Sequence, residues 1–189
     1  MSGSDDNGQI DDVIGRGLRL EERAEWEEAL ALYREAHERF PDDPRLLNRS
    51  GVMLIRLDRV EEAREAFNDA ATVHREYAPA LTNLGNMALE KGNLDDAINL
   101  YRRAIASAPD YPGAHHNLGV AYKRQGKMSE YVSETRTAQR LDRTYSRELE
   151  RLKLRAGGGG RLGSGCLGKT AGILLLVSAG AYLLTRVHA

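Results

Sequence analysis

Gly163-Ser164-Gly165-Cys166-Leu167-Gly168-Lys169-Thr170 satisfies the pattern G-x-x-x-x-G-K-S/T letter for letter. In a nucleotide-binding domain such a loop wraps backbone amides around phosphates, and its lysine reaches the outer ones. That chemistry needs a strand before the loop, a helix after it and a sheet carrying an acidic metal ligand. Here a charged helical stretch and a glycine run come before, and an uncharged apolar run comes after. The expected role is a linker beside a membrane span; P-loop nucleotide binding is kept only as a remote alternative. His115-His116 is the only adjacent histidine pair. Neighbours on a helix point apart, so the two make a poor metal site. His115 falls on a packing position and His116 on an exposed one. Cys166 is the one cysteine, which excludes a disulfide framework and a four-thiolate zinc site. It stands three residues before Lys169, as a reduced thiol or an acylation site. No serine, histidine and acid recur at a catalytic spacing. The chain is expected to be non-enzymatic, with no cofactor, no metal and no small-molecule substrate.

The elements that carry these residues are bounded by composition. The chain has 189 residues, 41% hydrophobic and 29% charged, with a formal net charge of −1. That suits one domain with appendages and enough apolar content for a core. A balanced charge offers no reason to expect nucleic acid as a partner. The balance is uneven along the chain, however: residues 1–77 sum to −8 and residues 78–189 to +7.

Periodicity organises the chain. Glycine recurs at Gly17, Gly51, Gly85 and Gly119, and alanine at Ala36, Ala70, Ala104 and Ala138, each time at a step of 34. Ala29, Ala63 and Ala97 form a third series that breaks at Tyr131. Tyr33, Phe67 and Tyr101 form a fourth that breaks at Thr135. Pro41 and Pro109 lie two periods apart. Residues 78–111 read as two antiparallel helices. Leu81, Leu84, Ala88 and Leu89 recur at helical spacing in the first. Gly92 suits the left-handed residue that ends it. Asp95 suits the start of the second as cap or first-turn acid. Ala97, Leu100, Tyr101 and Ala104 form the second buried stripe, and Pro109 closes the unit. Gly85 and Ala97 allow close approach of the two helices, and Tyr101 fills the space they leave.

The runs Asn83-Leu84-Gly85-Asn86 and Asn117-Leu118-Gly119-Val120-Ala121-Tyr122, followed in phase by alanine, aromatic, alanine and proline, resemble the tetratricopeptide repeat family. The resemblance implies an all-α, right-handed superhelical solenoid of four helix-turn-helix units, 10–43, 44–77, 78–111 and 112–145, behind a disordered start over 1–9. Repeat four departs from the pattern at Tyr131, Thr135 and Arg143, as terminal repeats do. A capping helix is expected over 146–156, with Tyr145, Leu149 and Leu152 on one stripe. Trp26 reads as core. Glu25, Glu27 and Glu28 read as solvated acids at a helix start.

From Gly157 the composition changes. Residues 157–169 form a glycine-rich linker and 170–186 a single C-terminal transmembrane helix, a tail anchor. Sixteen uncharged residues rise about 24 Å as a helix, short of the ~30 Å hydrocarbon core. Lys169 and Arg186 extend this by snorkelling. Lys153, Arg155, Arg161 and Lys169 precede the span and only Arg186 follows it, which predicts a cytoplasmic N-terminal domain. Met1 to Asp12 carries no export signal, in agreement.

The resemblance also implies that the first helix of each pair lines a concave groove for a peptide or partner protein. In repeat phase, Arg45, Asn48, Arg49, Val52 and Arg56 fall there, then Thr82, Asn83, Asn86 and Glu90, then His116, Asn117, Val120, Lys123 and Arg124. Asparagine amides one period apart suit an extended peptide backbone, and the surrounding cations favour an acidic segment or free carboxylate. The family's carboxylate clamp for chaperone tails is not matched. Ile14 and Leu18 in one register, Asn48 and Val52 in the other, stand where its lysine and asparagine belong. The expected function is a membrane-tethered interaction scaffold, with a structural accessory subunit of a membrane complex as the alternative.

Overall fold

The computed structural model describes residues 3–156, and side chains within 6–144 of these. They form eight helices: α1 (Gly3–Glu22), α2 (Trp26–Arg39), α3 (Pro44–Arg56), α4 (Val60–Val73), α5 (Ala78–Glu90), α6 (Leu94–Ser107), α7 (Pro112–Arg124) and α8 (Met128–Ala156). Each helix packs on the next in the chain, and α5 also packs on α7. This is a helical-repeat solenoid in which odd-numbered helices lie side by side.

The 34-residue step has a physical cause in each unit. Gly51 lies against Phe67 and Gly85 against Tyr101; a Cβ built on either would meet the ring at 2.5 Å. Tyr33, Phe67 and Tyr101 are at most 1% exposed. The glycine removes a side chain so that the aromatic ring of the second helix can press on the backbone of the first. In repeat four the partner is Thr135, whose hydroxyl sits 3.2 Å from a Cβ on Gly119. Half-buried Tyr131 packs instead on Leu89, Tyr101 and their neighbours.

The intra-repeat turns close by one device. The amides of Glu25, Arg59, Asn93 and Lys127 reach back to the carbonyls of Leu20, Leu54, Ala88 and Tyr122 at 2.9–3.0 Å. This closure requires a left-handed residue just before the donor. Ala24, Asp58, Gly92 and Gly126 supply it, with φ of 60°, 59°, 81° and 79°. An L-alanine in that region is strained, whereas aspartate tolerates it better. Ala24→Gly is therefore expected to stabilise the chain by about 0.5–1 kcal/mol and Asp58→Gly by less; a urea midpoint that falls for Ala24→Gly contradicts this.

Pro44, Pro79 and Pro112 stand in the first turns of α3, α5 and α7, where their missing amides cost nothing. Asp43 caps α3 by accepting from the Arg45 amide at 2.8 Å. Asp95 falls in the first turn of α6 rather than at its cap, which is Asn93.

Two expectations change. Residues 3–9, expected to be disordered, are the opening turns of α1. Buried Ile10 and half-buried Val13 and Ile14 dock α1 on the first core cluster, and the acids at its start favour the helix N-terminus. The cap over 146–156 is no separate helix: α8 runs unbroken from Met128 to Ala156. Arg143 replaces the proline that would have ended it, and the stretch contains no glycine or proline. The linker 157–169, the span 170–186, the P-loop-like run with Cys166, and the side chains of Tyr145, Leu149 and Leu152 lie outside the described residues. Among the described residues, no helix is long and apolar enough to cross a membrane.

Candidate functional site

The residues expected to line a groove lie on α3, α5 and α7, and side chains bond directly from one first helix to the next. Asn83 Nδ2 donates to Asn48 Oδ1 at 2.9 Å, joining α5 to α3. Asn117 Nδ2 donates to Asn86 Oδ1 at 2.8 Å, joining α7 to α5. The Tyr101 hydroxyl donates to the same Asn86 oxygen at 2.8 Å. Asn83, Asn86 and Asn117 are 6–8% exposed. The amides thus brace neighbouring helices.

The cations also have intramolecular partners. Arg45 holds Asp43 and, 2.7 Å away, Asp11 of α1. Arg49 lies 3.4 Å from Glu21 at the end of α1. The Arg56 guanidinium lies 5.4 Å from the centre of the Trp26 ring, and Lys123 Nζ 5.5 Å from that of Tyr131. Arg124 donates to the Leu89 carbonyl at 3.0 Å. An acidic ligand therefore meets a surface already partly neutralised from within.

Thr82 is displaced from the predicted set: it is 1% exposed and donates to the Ala78 carbonyl of its own helix at 2.8 Å. Val52 is buried as well. His116, Glu90, Lys123 and Arg124 are exposed, and Val120 is half-buried. His115 is buried, with one ring nitrogen 2.7 Å from Glu134 and the other 3.0 Å from the Pro109 carbonyl, and so ties α7 to α8. Among the described residues no cluster of histidine, cysteine and acids could hold a metal.

Four residues beside that set escaped the reading of the sequence. Asp11 and Glu21 are the α1 partners of Arg45 and Arg49; Asp11 is one period before Arg45, so the same step locates it. Tyr77 and Tyr111 stand one period apart as the N-caps of α5 and α7. Burial pushes the Tyr77 phenol up to about 12, opposed by Arg49 and Arg45. The Tyr111 phenol is raised by burial too, with Arg49 again opposing. The Tyr33 hydroxyl donates to Glu21 at 2.6 Å, and burial first, then that carboxylate, raises its pKa.

Comparison with known proteins places this architecture. A family model described as tetratricopeptide repeat matches residues 14–80, and one described as TPR repeat matches 85–126. The TPR repeat-containing thioredoxin TTL4 of Arabidopsis thaliana is 38% identical over 68 residues, 36% of this chain; the match spans only 10% of that protein. Among solved structures, PilF of Pseudomonas aeruginosa superimposes with a TM-score of 0.62 at 20% identity, over 83% of this chain and 79% of that one. The first TPR of Spaghetti (RPAP3), solved with the HSP90 peptide SRMEEVD, gives 0.55 at 20% identity, over 60% of this chain and 93% of that one. With 34-residue helix pairs, glycine-on-aromatic packing and two matching family models that together span more than half its length, the chain belongs to the tetratricopeptide-repeat family.

Proposed function

We propose that this protein is a non-catalytic scaffold for protein–protein interaction, taking an extended peptide or partner segment along α3, α5 and α7. The amide ladder of Asn48, Asn83, Asn86 and Asn117 carries the reading. These side chains sit in a row across three helices, and each amide can donate and accept, as a peptide backbone requires. The likeness to a domain solved with a peptide supports it. The unmatched clamp positions argue against chaperone tails as the ligand. We further propose that 170–186 tethers the scaffold to the cytoplasmic side of a membrane; the uncharged run and its cationic flank support this. Tethering would raise the local concentration of captured partner without new contacts.

Peptides selected on the full chain from a random display library test the groove. Asn83→Ala with Asn117→Ala is expected to weaken the selected peptides about tenfold, the loss of roughly one to two hydrogen bonds. Undiminished binding moves the site elsewhere. Alkaline carbonate extraction tests the tether separately: release into the soluble fraction removes it and leaves the groove untouched.

A further inference from the structure

Repeat four puts a polar pair where the other repeats put apolar ones. His115 stands one period after Leu81 and two after Leu47; Glu134 stands one period after Leu100 and two after Ala66. Repeat one has Val13 and Leu32 at these positions. In repeat three, Leu81 is 1% exposed and half-buried Leu100 packs in the same core cluster. His115 and Glu134 form an ion pair instead, with side chains 11% and 24% exposed and Nδ1 2.7 Å from Oε2. Repeat four also lacks the aromatic ring that presses α6 on α5, since Thr135 stands in its place. At this position α8 is thus held on α7 by a polar contact, where α6 is held on α5 by an apolar one.

The two ring nitrogens set the proton count. The Pro109 carbonyl, 3.0 Å from Nε2, can only accept, so Nε2 carries a hydrogen. An ionised Glu134 can only accept too, and it faces Nδ1. A neutral imidazole has one N–H, so the arrangement needs a second proton between Nδ1 and Oε2. With that proton, a charge-assisted hydrogen bond joins α7 to α8. Without it, a nitrogen lone pair meets a carboxylate oxygen at contact distance in a site mostly withdrawn from water, and the two must part. The surrounding elements offer no substitute partner. Asp110 in the preceding turn, His116 on α7, and Glu130 and Arg136 on α8 are exposed. On α6, Arg102 and Arg103 are bonded to Tyr122 and Glu76, and Asp95 to Gln125. The first titratable side chain of α5 is Glu90, at its far end.

We propose that His115 and Glu134 form a proton-dependent latch that holds α8 on the solenoid. The latch is closed while the pair keeps its second proton and opens as rising pH removes it. Opening frees the helix that runs on to Ala156. It also loosens α7, where Asn117, two residues beyond His115, bonds to Asn86 of α5. The latch goes beyond the groove reading and does not depend on it.

Amide hydrogen exchange on the full chain reads the latch directly, with α5 as internal reference because it carries neither residue. Between about pH 5 and about pH 8, the range over which histidine changes charge, protection of α8 around Glu134 relative to α5 is expected to fall with rising pH. The fall should be about tenfold, the size of one hydrogen bond to a charged group. Nitrogen NMR of the His115 ring should show both nitrogens protonated at the lower pH. Glu134→Gln places an N–H opposite Nδ1 and satisfies the neutral ring, so its α8 protection should stay level over the same range. His115→Leu combined with Glu134→Leu copies the apolar pair of repeat three and should also stay level, with α8 protected throughout. The latch is overturned if wild-type α8 keeps its protection while the ring loses its second proton, or if either variant retains the wild-type pH dependence. No groove ligand enters these measurements, so that outcome leaves the peptide reading standing.

Discussion

Tyr101→Ala is expected to destabilise the solenoid by about 3–5 kcal/mol, as aromatic truncations in a close-packed core do. The Tyr101 ring is 0% exposed, presses on the backbone at Gly85, and sits in the second core cluster with Leu89, Leu118 and Tyr122. Its hydroxyl shares the Asn86 oxygen with Asn117, so truncation also removes a donor from the amide ladder between α5 and α7. Burial holds this phenol well above the usual tyrosine range, so it remains a donor at all ordinary pH. Repeat three is internal, and a solenoid transmits stability only through neighbours. The loss should therefore uncouple repeat two from repeat four. Urea unfolding should become broader or biphasic, and amide exchange should accelerate across α5 and α6 first. Tyr101→Phe keeps the packing and should cost only about 1 kcal/mol. A cost below about 1 kcal/mol for the alanine variant, with unchanged exchange, would show that the ring is not what holds the pair of helices together.

Alanine in place of Gly85 and of Gly119 should act with opposite signs. Both glycines are mid-helix, where alanine alone would gain about 1 kcal/mol of helix propensity. At Gly85 the new Cβ meets Tyr101 ring atoms at 2.5–3.0 Å, and a ring with no exposure has nowhere to move. Overpacking of this kind costs about 1–3 kcal/mol or more, enough to outweigh the propensity gain. At Gly119 the contacts are the Thr135 hydroxyl at 3.2 Å, the Tyr131 carbonyl at 3.4 Å and the Glu134 Cβ at 3.5 Å. A few tenths of an ångström of adjustment suffices there, so the variant should be neutral or stabilising. Thermal melts of the two variants decide it; two shifts of equal sign and size would mean the glycines are not kept for the aromatic partner.

The same comparison explains how much of the fold could be read beforehand. The 34-residue recurrence of Gly17, Gly51 and Gly85 with Tyr33, Phe67 and Tyr101 is a steric rule, repeated because each pair of helices meets the same constraint. Helix pairs, the turn at Gly92 and the shared phase of α3, α5 and α7 all follow from it. Where the rule lapses, reading by period failed. Repeat four lacks the proline and the aromatic, and α8 runs on past the expected break. Repeat one carries Ala24 where a glycine would announce the turn, yet the turn forms, because the 6→1 closure to Leu20 and the packing of α1 on α2 impose it.

Sequence alone determined that this chain is an all-α array of four helix pairs and which faces of α3, α5 and α7 line up, since side-chain size and period act locally and repeat. Tertiary structure alone decided how the polar side chains of α3, α5 and α7 are spent. Asn83 finds Asn48, Asn117 finds Asn86, Arg45 finds Asp11, and Arg49 finds Glu21. Such pairings join residues 28–35 positions apart through the sideways stacking of helices, a distance that no local pattern encodes.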